Sequence, residues 1–251
     1  MSTPLPGWSV GPFTHDGLTR PVYTRGSGPC VVVIHEIPGI TPKVLRFAEE
    51  VVDAGFSVAM PSLLGEPGAP LTGPYAVRSI LRMCVASEFT TWAVGRTSPI
   101  IAWLRALAAQ EHARCGGPGV GALGMCFSGG FALGMMLDDR LIAPVLSQPS
   151  LPLSFVSKAH AADLNLSPED LARVKARVAA GCPVLGLRYD QDSAVGTRFD
   201  TLRRELGDGF LAVELPSSKA GDHSVLTEQR HDPTVTRVLD FFRERLRPVQ
   251  A

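Results

Sequence analysis

The sequence predicts an α/β fold, a mostly parallel doubly wound sheet with helices on both faces, and three observations carry that expectation. Short β-branched runs recur along the chain. They are almost continuously apolar, as strands buried on both faces are. Helical patterns with marked ends stand between them, and this alternation is the signature of a wound sheet. With 251 residues and 45% hydrophobic content, the chain can bury a large core, and residues 1–251 read as one domain.

The strand candidates are residues 30–34, 56–60, 120–124, 183–187 and 210–215, each bounded by turn-forming residues. Thr41-Pro42 opens the first clear helix, with Val44, Leu45, Ala48, Val51 and Val52 at helical spacing and Gly55 as its stop. Ser167-Pro168-Glu169-Asp170 opens a second, which runs to Gly181. Asp232-Pro233 opens a third, with Val235, Val238, Leu239, Phe242 and Leu246 on one face. Residues 62–98, rich in Gly, Pro, Ser and Thr, and residues 147–166 fit neither period. Both are expected to lie over the carboxyl ends of the strands and shape a substrate pocket.

Composition narrows the classes of function. Lys plus Arg and Asp plus Glu number 24 each, so no net field draws the protein to nucleic acid or to an anionic membrane. A small, weakly charged ligand suits that balance, as does a monomer or small homo-oligomer. The first eight residues have neither a basic nor an apolar leader pattern, and no long apolar run follows; a cytoplasmic protein is expected. Five cysteines, Cys30, Cys84, Cys115, Cys126 and Cys182, lie far apart without a CxxC pair, which argues against a disulfide framework or a zinc site.

One of those cysteines sits in a turn with chemical meaning. In Gly119-Val-Gly-Ala-Leu-Gly124-Met-Cys126-Phe-Ser128-Gly129-Gly130 a strand runs into a tight turn and then a small-residue helix. This is the pattern of a nucleophile elbow, which exposes one reactive side chain at a strand end. The backbone N–H of Phe127 then points to where an oxyanion forms, at a helix start that also favours a thiolate. Taken alone, Cys126 reads more readily as a buried cysteine beside a glycine-rich helix start.

Its downstream partners change that balance. Elbow enzymes place their acid and then their histidine after later strands. Here residues 183–187 are followed by Arg188-Tyr-Asp190-Gln-Asp192-Ser-Ala-Val195, and residues 210–215 by Gly221-Asp222-His223-Ser224. Asp192 is the expected acid, since Val195 returns the chain to the core and leaves Asp192 on the loop; Asp190 is the rival. His223 is the expected base, as the histidine in a glycine-containing loop after a late strand. His15, His112, His160 and His231 lack that context.

With these residues in place the chain resembles the dienelactone hydrolase family. The resemblance implies an α/β-hydrolase fold, a Cys-Asp-His triad, and an early glutamate touching the resting thiol. His35-Glu36-Ile37-Pro38-Gly39 follows the first strong strand, so the resemblance gives Glu36 that role. A thiol of pKa about 8.5 is mostly protonated at neutral pH, and a carboxylate able to take its proton would release the nucleophile. The N–H of Ile37 becomes the second oxyanion donor. His35 reads as a structural histidine bonded to its loop.

The sequence departs from the family pattern at two places. Ser128 stands where the family has glycine and is a tentative substrate contact. Thr227 occupies the position, four residues past the triad histidine, where dienelactone-cleaving members carry a substrate-binding arginine. The other arginine should come from residues 62–98, where Arg78, Arg82 and Arg96 are available and Arg82 is the tentative choice. The expected activity is ester or lactone hydrolysis through an acyl-enzyme, carboxymethylenebutenolidase-like in type, with no metal or organic cofactor. A thioesterase, a peptidase-like or acyl-transferring enzyme and a silent binding scaffold are the competing readings, because pocket shape decides the chemistry on such folds.

Overall fold

The computed structural model describes residues 3–219 and 221–247. In chain order it contains β1 (Ser9–His15), β2 (Leu18–Arg25), β3 (Cys30–Ile34), α1 (Pro42–Asp53), β4 (Ser57–Pro61), α2 (Gly73–Val85), α3 (Ile100–Cys115), β5 (Val120–Met125), α4 (Phe131–Met135), β6 (Leu141–Ser147), α5 (Lys158–Ala162), α6 (Pro168–Ala179), β7 (Val184–Tyr189), α7 (Arg198–Leu206), β8 (Phe210–Leu215) and α8 (Asp232–Leu246). The strands form one sheet in the order β1-β2-β4-β3-β5-β6-β7-β8. β1 and β2 pair antiparallel, β2 joins β4 antiparallel, and every pairing from β4 to β8 is parallel.

The caps read from sequence are formed. The Thr41 hydroxyl accepts from the Val44 N–H ahead of α1, and Ser167 accepts from Asp170 ahead of α6, satisfying N–H groups that a helix start leaves bare. Alternation of side chains along each strand then divides the core in two. Val32, Ile34 and Ala122 face a layer built from α3, α4, α6 and α7, with Leu104, Phe131, Val174 and Phe199 among its members. Val31, Val33, Leu123 and Met125 face the opposite layer, where α1 and α8 supply Phe47, Val51, Val238 and Phe242.

Several elements were not expected, among them the first hairpin, β6 and α2. The β1–β2 hairpin was missed because β1 is largely exposed and carries no apolar alternation. β6 was missed because Pro144 interrupts it; the strand tolerates the proline because pairing with β7 begins only at Val145, so no ladder bond on that side is lost. Residues 62–98 hold α2, whose opening Gly73-Pro74 reads as loop. Only Ser79 and Met83 of α2 are buried, too few for a periodic signal. The two irregular stretches are stitched together: Ser98 Oγ donates to Asn165 Oδ1 at 2.5 Å, Asn165 Nδ2 to Thr90 Oγ1 at 2.9 Å, and the Gly95 N–H to Asp163 Oδ2 at 2.6 Å. Among the described residues no helix is long and apolar enough to cross a membrane.

Packing is tight behind the β5–α4 turn. A Cβ on Gly129 would stand 2.6 Å from Pro149 Cα and 2.7 Å from Ser147 O, both backbone atoms of the chain leaving β6. Gly129→Ala is therefore expected to destabilise the fold by about 1–3 kcal/mol through overpacking, a drop of several degrees in melting temperature. Gly11→Ala, where a Cβ meets nothing within 4 Å, is the control and should leave the melting temperature nearly unchanged.

Candidate active site

The carboxyl ends of five neighbouring strands converge on one edge of the sheet. Glu36 follows β3, Cys126 follows β5, Gln148 and Ser150 follow β6, Asp192 follows β7, and His223 follows β8. Parallel pairing puts these ends side by side, about 4.8 Å apart per strand, so residues far apart in sequence share one rim.

Cys126 occupies the left-handed region, with φ 57°, a conformation that costs a residue with a Cβ roughly 1–2 kcal/mol. Its surroundings hold it there. The Cys126 carbonyl accepts from the Gly129 N–H at 2.9 Å and the Ser150 N–H at 3.0 Å. A Cβ at Gly124 would collide with the Ser128 carbonyl. Ser128 is fully buried; its hydroxyl accepts from the Met125 N–H at 2.9 Å and lies 3.0 Å from His35 O and 3.1 Å from Ile34 O. Ser128 therefore braces the turn against the end of β3 and is no substrate contact. The packing that excludes water from its hydroxyl also excludes a ligand.

Cys126 itself is half-buried, and the Ser150 hydroxyl lies 3.8 Å from its sulfur. His223 Nδ1 meets Asp192 Oδ2 at 2.6 Å, which makes Nδ1 the protonated nitrogen and leaves Nε2 free to act. Asp192 is 7% exposed; its Oδ1 accepts from the Ala194 N–H at 3.0 Å. Asp190 lies exposed on the same loop, receiving the Ser217 N–H at 2.9 Å, and makes no contact with the imidazole. Burial alone would push the His223 pKa down. The negative charge and hydrogen bonding of Cys126 and Asp192 outweigh it and hold the pKa well above 6.5. Among the described residues neither the Phe127 N–H nor the Ile37 N–H donates to a protein acceptor.

Glu36 is not where the resemblance puts it. Its carboxylate is 3% exposed overall and is fully engaged: the Ser224 hydroxyl donates to Oε2 at 2.8 Å, Gln148 Nε2 donates to Oε2 at 3.2 Å, and the Thr227 hydroxyl donates to Oε1. Among the described residues it makes no hydrogen bond with the Cys126 thiol. Burial raises its pKa, opposed by the Thr227 and Ser224 hydroxyls. His35 is a structural group, as expected: its Nδ1 bonds Glu36 O at 2.8 Å and its Nε2 accepts from the Leu63 and Leu64 N–H groups at 3.0 and 3.3 Å. Burial lowers its pKa to about 4, so the ring is neutral at physiological pH.

The model of the dienelactone hydrolase family matches residues 18–238. The chain belongs to the dienelactone hydrolase family. Solved structures agree on the α/β-hydrolase fold. The dienelactone hydrolase of Anabaena variabilis superposes with a TM-score of 0.64 at 15% identity, covering 96% of this chain and 98% of that one. A cold-adapted esterase from an Arctic intertidal metagenomic library gives 0.61 at 20% identity, covering 95% and 93%. No curated protein matches the sequence.

Within the dienelactone hydrolase family this member carries threonine at position 227, where the resemblance led us to expect an arginine. Thr227 is 3% exposed and committed to Glu36. Arg78, Arg82 and Arg96 are all exposed. Arg82 borders a surface groove of about 680 Å³ with Arg20, Glu66 and Glu88, and the groove's wall includes none of Cys126, Asp192 and His223. The tentative assignment of Arg82 as a substrate contact is corrected accordingly, because α2 turns that side chain to the outer face of the segment. The arginine that does approach the site was missed. Arg198, 1% exposed, donates to the carbonyls of Ala194, Val195, His160 and Pro152, tying the Asp192 loop to residues 147–166. Gln148 and Ser224 were missed as well; Ser224 adjoins His223 in sequence, while Gln148 follows the unrecognised β6.

Because the folded-state pKa of Glu36 is raised above the ordinary 4.5, the native protein keeps its proton where the unfolded chain has lost one. Stability attributable to this group thus falls as pH rises from about 4.5 through the raised value. Glu36→Gln is expected to flatten that part of the pH–stability curve in denaturant titrations. Glu36→Ala, which strands two hydroxyls and an amide, should cost about 1–3 kcal/mol.

Proposed function

We propose that this member of the dienelactone hydrolase family hydrolyses carboxylic esters or lactones through a thioester formed on Cys126. The observation that carries the reading is the 2.6 Å Asp192–His223 pair on the rim that also presents the strained, half-exposed Cys126. In this reading the Cys126 proton passes to His223, and the sulfur attacks the substrate carbonyl. The Phe127 and Ile37 N–H groups receive the oxyanion. The His223 imidazolium protonates the leaving alkoxide from Nε2, and the neutral ring then deprotonates a water that attacks the thioester. Asp192 keeps the ring in the required tautomer throughout. A tetrahedral adduct collapses twice, releasing alcohol and then acid and returning the proton to His223.

Glu36 acts in this scheme by positioning rather than by touching the thiol. Through Ser224 and Thr227 it holds the His223 loop, and through Gln148 it holds the end of β6. The substrate class follows from the missing guanidinium at position 227. An acyl group without a carboxylate suits a rim where Thr227 stands in the arginine's place, so neutral aryl esters and lactones are preferred over dienelactone.

Cys126→Ala should lower turnover of aryl esters by on the order of 10⁴-fold or more while far-UV dichroism and melting temperature hold; ordinary turnover in that variant rules the mechanism out. Asp192→Asn should cost about 10²–10⁴-fold through loss of the tautomer. Since the His223 pKa lies well above 6.5, the imidazolium persists through neutral pH, and the alkaline limb of kcat/KM belongs well above that value. In Asp192→Asn the limb should move down. A panel of aryl esters, lactones, acyl thioesters and dienelactone tests the specificity: dienelactone as the fastest substrate would contradict the neutral-acyl reading.

A further inference from the structure

Two cysteines that the sequence separates by 85 positions meet at the opposite edge of the sheet from Cys126. Cys30 opens β3 and Cys115 closes α3, and with Glu111, one helical turn before Cys115, their Sγ and carboxylate atoms all lie within 4.8 Å of one another. The wide spacing of the cysteines argued against a metal cluster. The crossing of α3 over the start of β3 reverses that expectation. Cys30 is completely buried and Glu111 is 2% exposed, while Cys115 is half-buried and open to solvent.

We propose that Cys30, Glu111 and Cys115 form a binding site for a thiophilic divalent cation, zinc by preference. Two sulfurs and a carboxylate oxygen are a zinc donor set, and the soft ligands discriminate against magnesium and calcium. Mutual distances below 4.8 Å need only small side-chain adjustment to reach Zn–S lengths of about 2.3 Å and Zn–O lengths of about 2.0–2.2 Å.

Charge supports the same occupant. Arg114 grips Glu111 Oε2 through Nε at 2.9 Å and Nη2 at 2.6 Å. With both thiols deprotonated, two thiolates and one carboxylate face a single guanidinium, leaving two negative charges that one divalent cation neutralises. The grip on Oε2 leaves Oε1 for the metal and fixes the carboxylate as outer partners of metal ligands do. Binding joins the end of α3 to the start of β3, releases two thiol protons, and leaves water to complete a tetrahedron on the open Cys115 side. The role is a structural staple at the edge remote from Cys126.

The test is a zinc titration of the reduced protein in the Cys126→Ala background, which removes the Cys126–His223–Asp192 constellation as an alternative site, read by competition with a chromophoric chelator. The expected result is one equivalent bound and a rise in melting temperature. Cys115→Ser and Glu111→Gln should weaken binding by at least roughly tenfold, and cobalt substitution should give a thiolate charge-transfer band that Cys115→Ser diminishes. Cys30 lies in the core and Glu111 is 2% exposed, so the half-buried Cys115 carries the test with least risk to the fold, and Glu111→Gln keeps the side-chain shape. Cys115→Ser alone should leave ester hydrolysis unchanged. The inference is overturned by absence of zinc binding, by equal affinity in Cys115→Ser, or by a Cys30–Cys115 disulfide forming in air while the reduced thiols take up no metal.

Discussion

A carboxylate shielded from water has to be satisfied by its neighbours, and Glu36 is the point where that requirement organises the rim at the carboxyl ends of the strands. Buried after β3, it draws in Ser224 and Thr227 from the loop after β8 and Gln148 from the end of β6. An unpaired carboxylate in such surroundings is strongly destabilising, so each of these partners is constrained by the need of one group. Ser224 adjoins His223, which is why the imidazole loop has little freedom. The raised pKa of Glu36 records the tension between burial, which disfavours the charge, and hydroxyl donors, which favour it.

The elbow depends on a similar economy of space. Cys126 holds a left-handed backbone because the turn is squeezed from both sides, by Gly124 against the Ser128 carbonyl and by Gly129 against Pro149. Ser128 then bonds the turn to the last carbonyls of β3, so the two loops that would contribute oxyanion donors are joined behind the site by one hydroxyl. A glycine at this position would forgo that brace.

Residues 62–98 and 147–166 form one assembly rather than two loops. Ser98, Asn165 and Thr90 bond them to each other, and Arg198 fastens the second stretch to the Asp192 loop. Arg198 is a buried cation held by carbonyls, its pKa lowered to about 10 by desolvation, and it remains charged at any physiological pH. Residues 147–166 and the loop that carries Asp192 are thereby joined through one buried guanidinium. The outer face of α2 shows a stripe of exposed Val77, Leu81 and Val85, so this helix is held by its ends and by Ser79 and Met83 rather than by a full apolar face.

What the sequence determined by itself was local chemistry in order along the chain. Strand runs buried on both faces, the Thr41 and Ser167 caps, the elbow at Cys126 and the succession of Asp192 and His223 are all set by short-range patterns, and Val195 returning to the core distinguished Asp192 from Asp190. The hairpin, β6 and α2 were illegible because their stability comes from partners: β6 carries a proline that only its place in the sheet excuses, and α2 buries too little to show a period. Tertiary structure alone decided the direction in which side chains point. It turned Glu36 toward Thr227 instead of Cys126, Ser128 inward, Arg82 outward and Arg198 inward, and it brought Cys30 to Cys115. Those choices depend on which groups must find partners once water is gone, and no one-dimensional pattern encodes that.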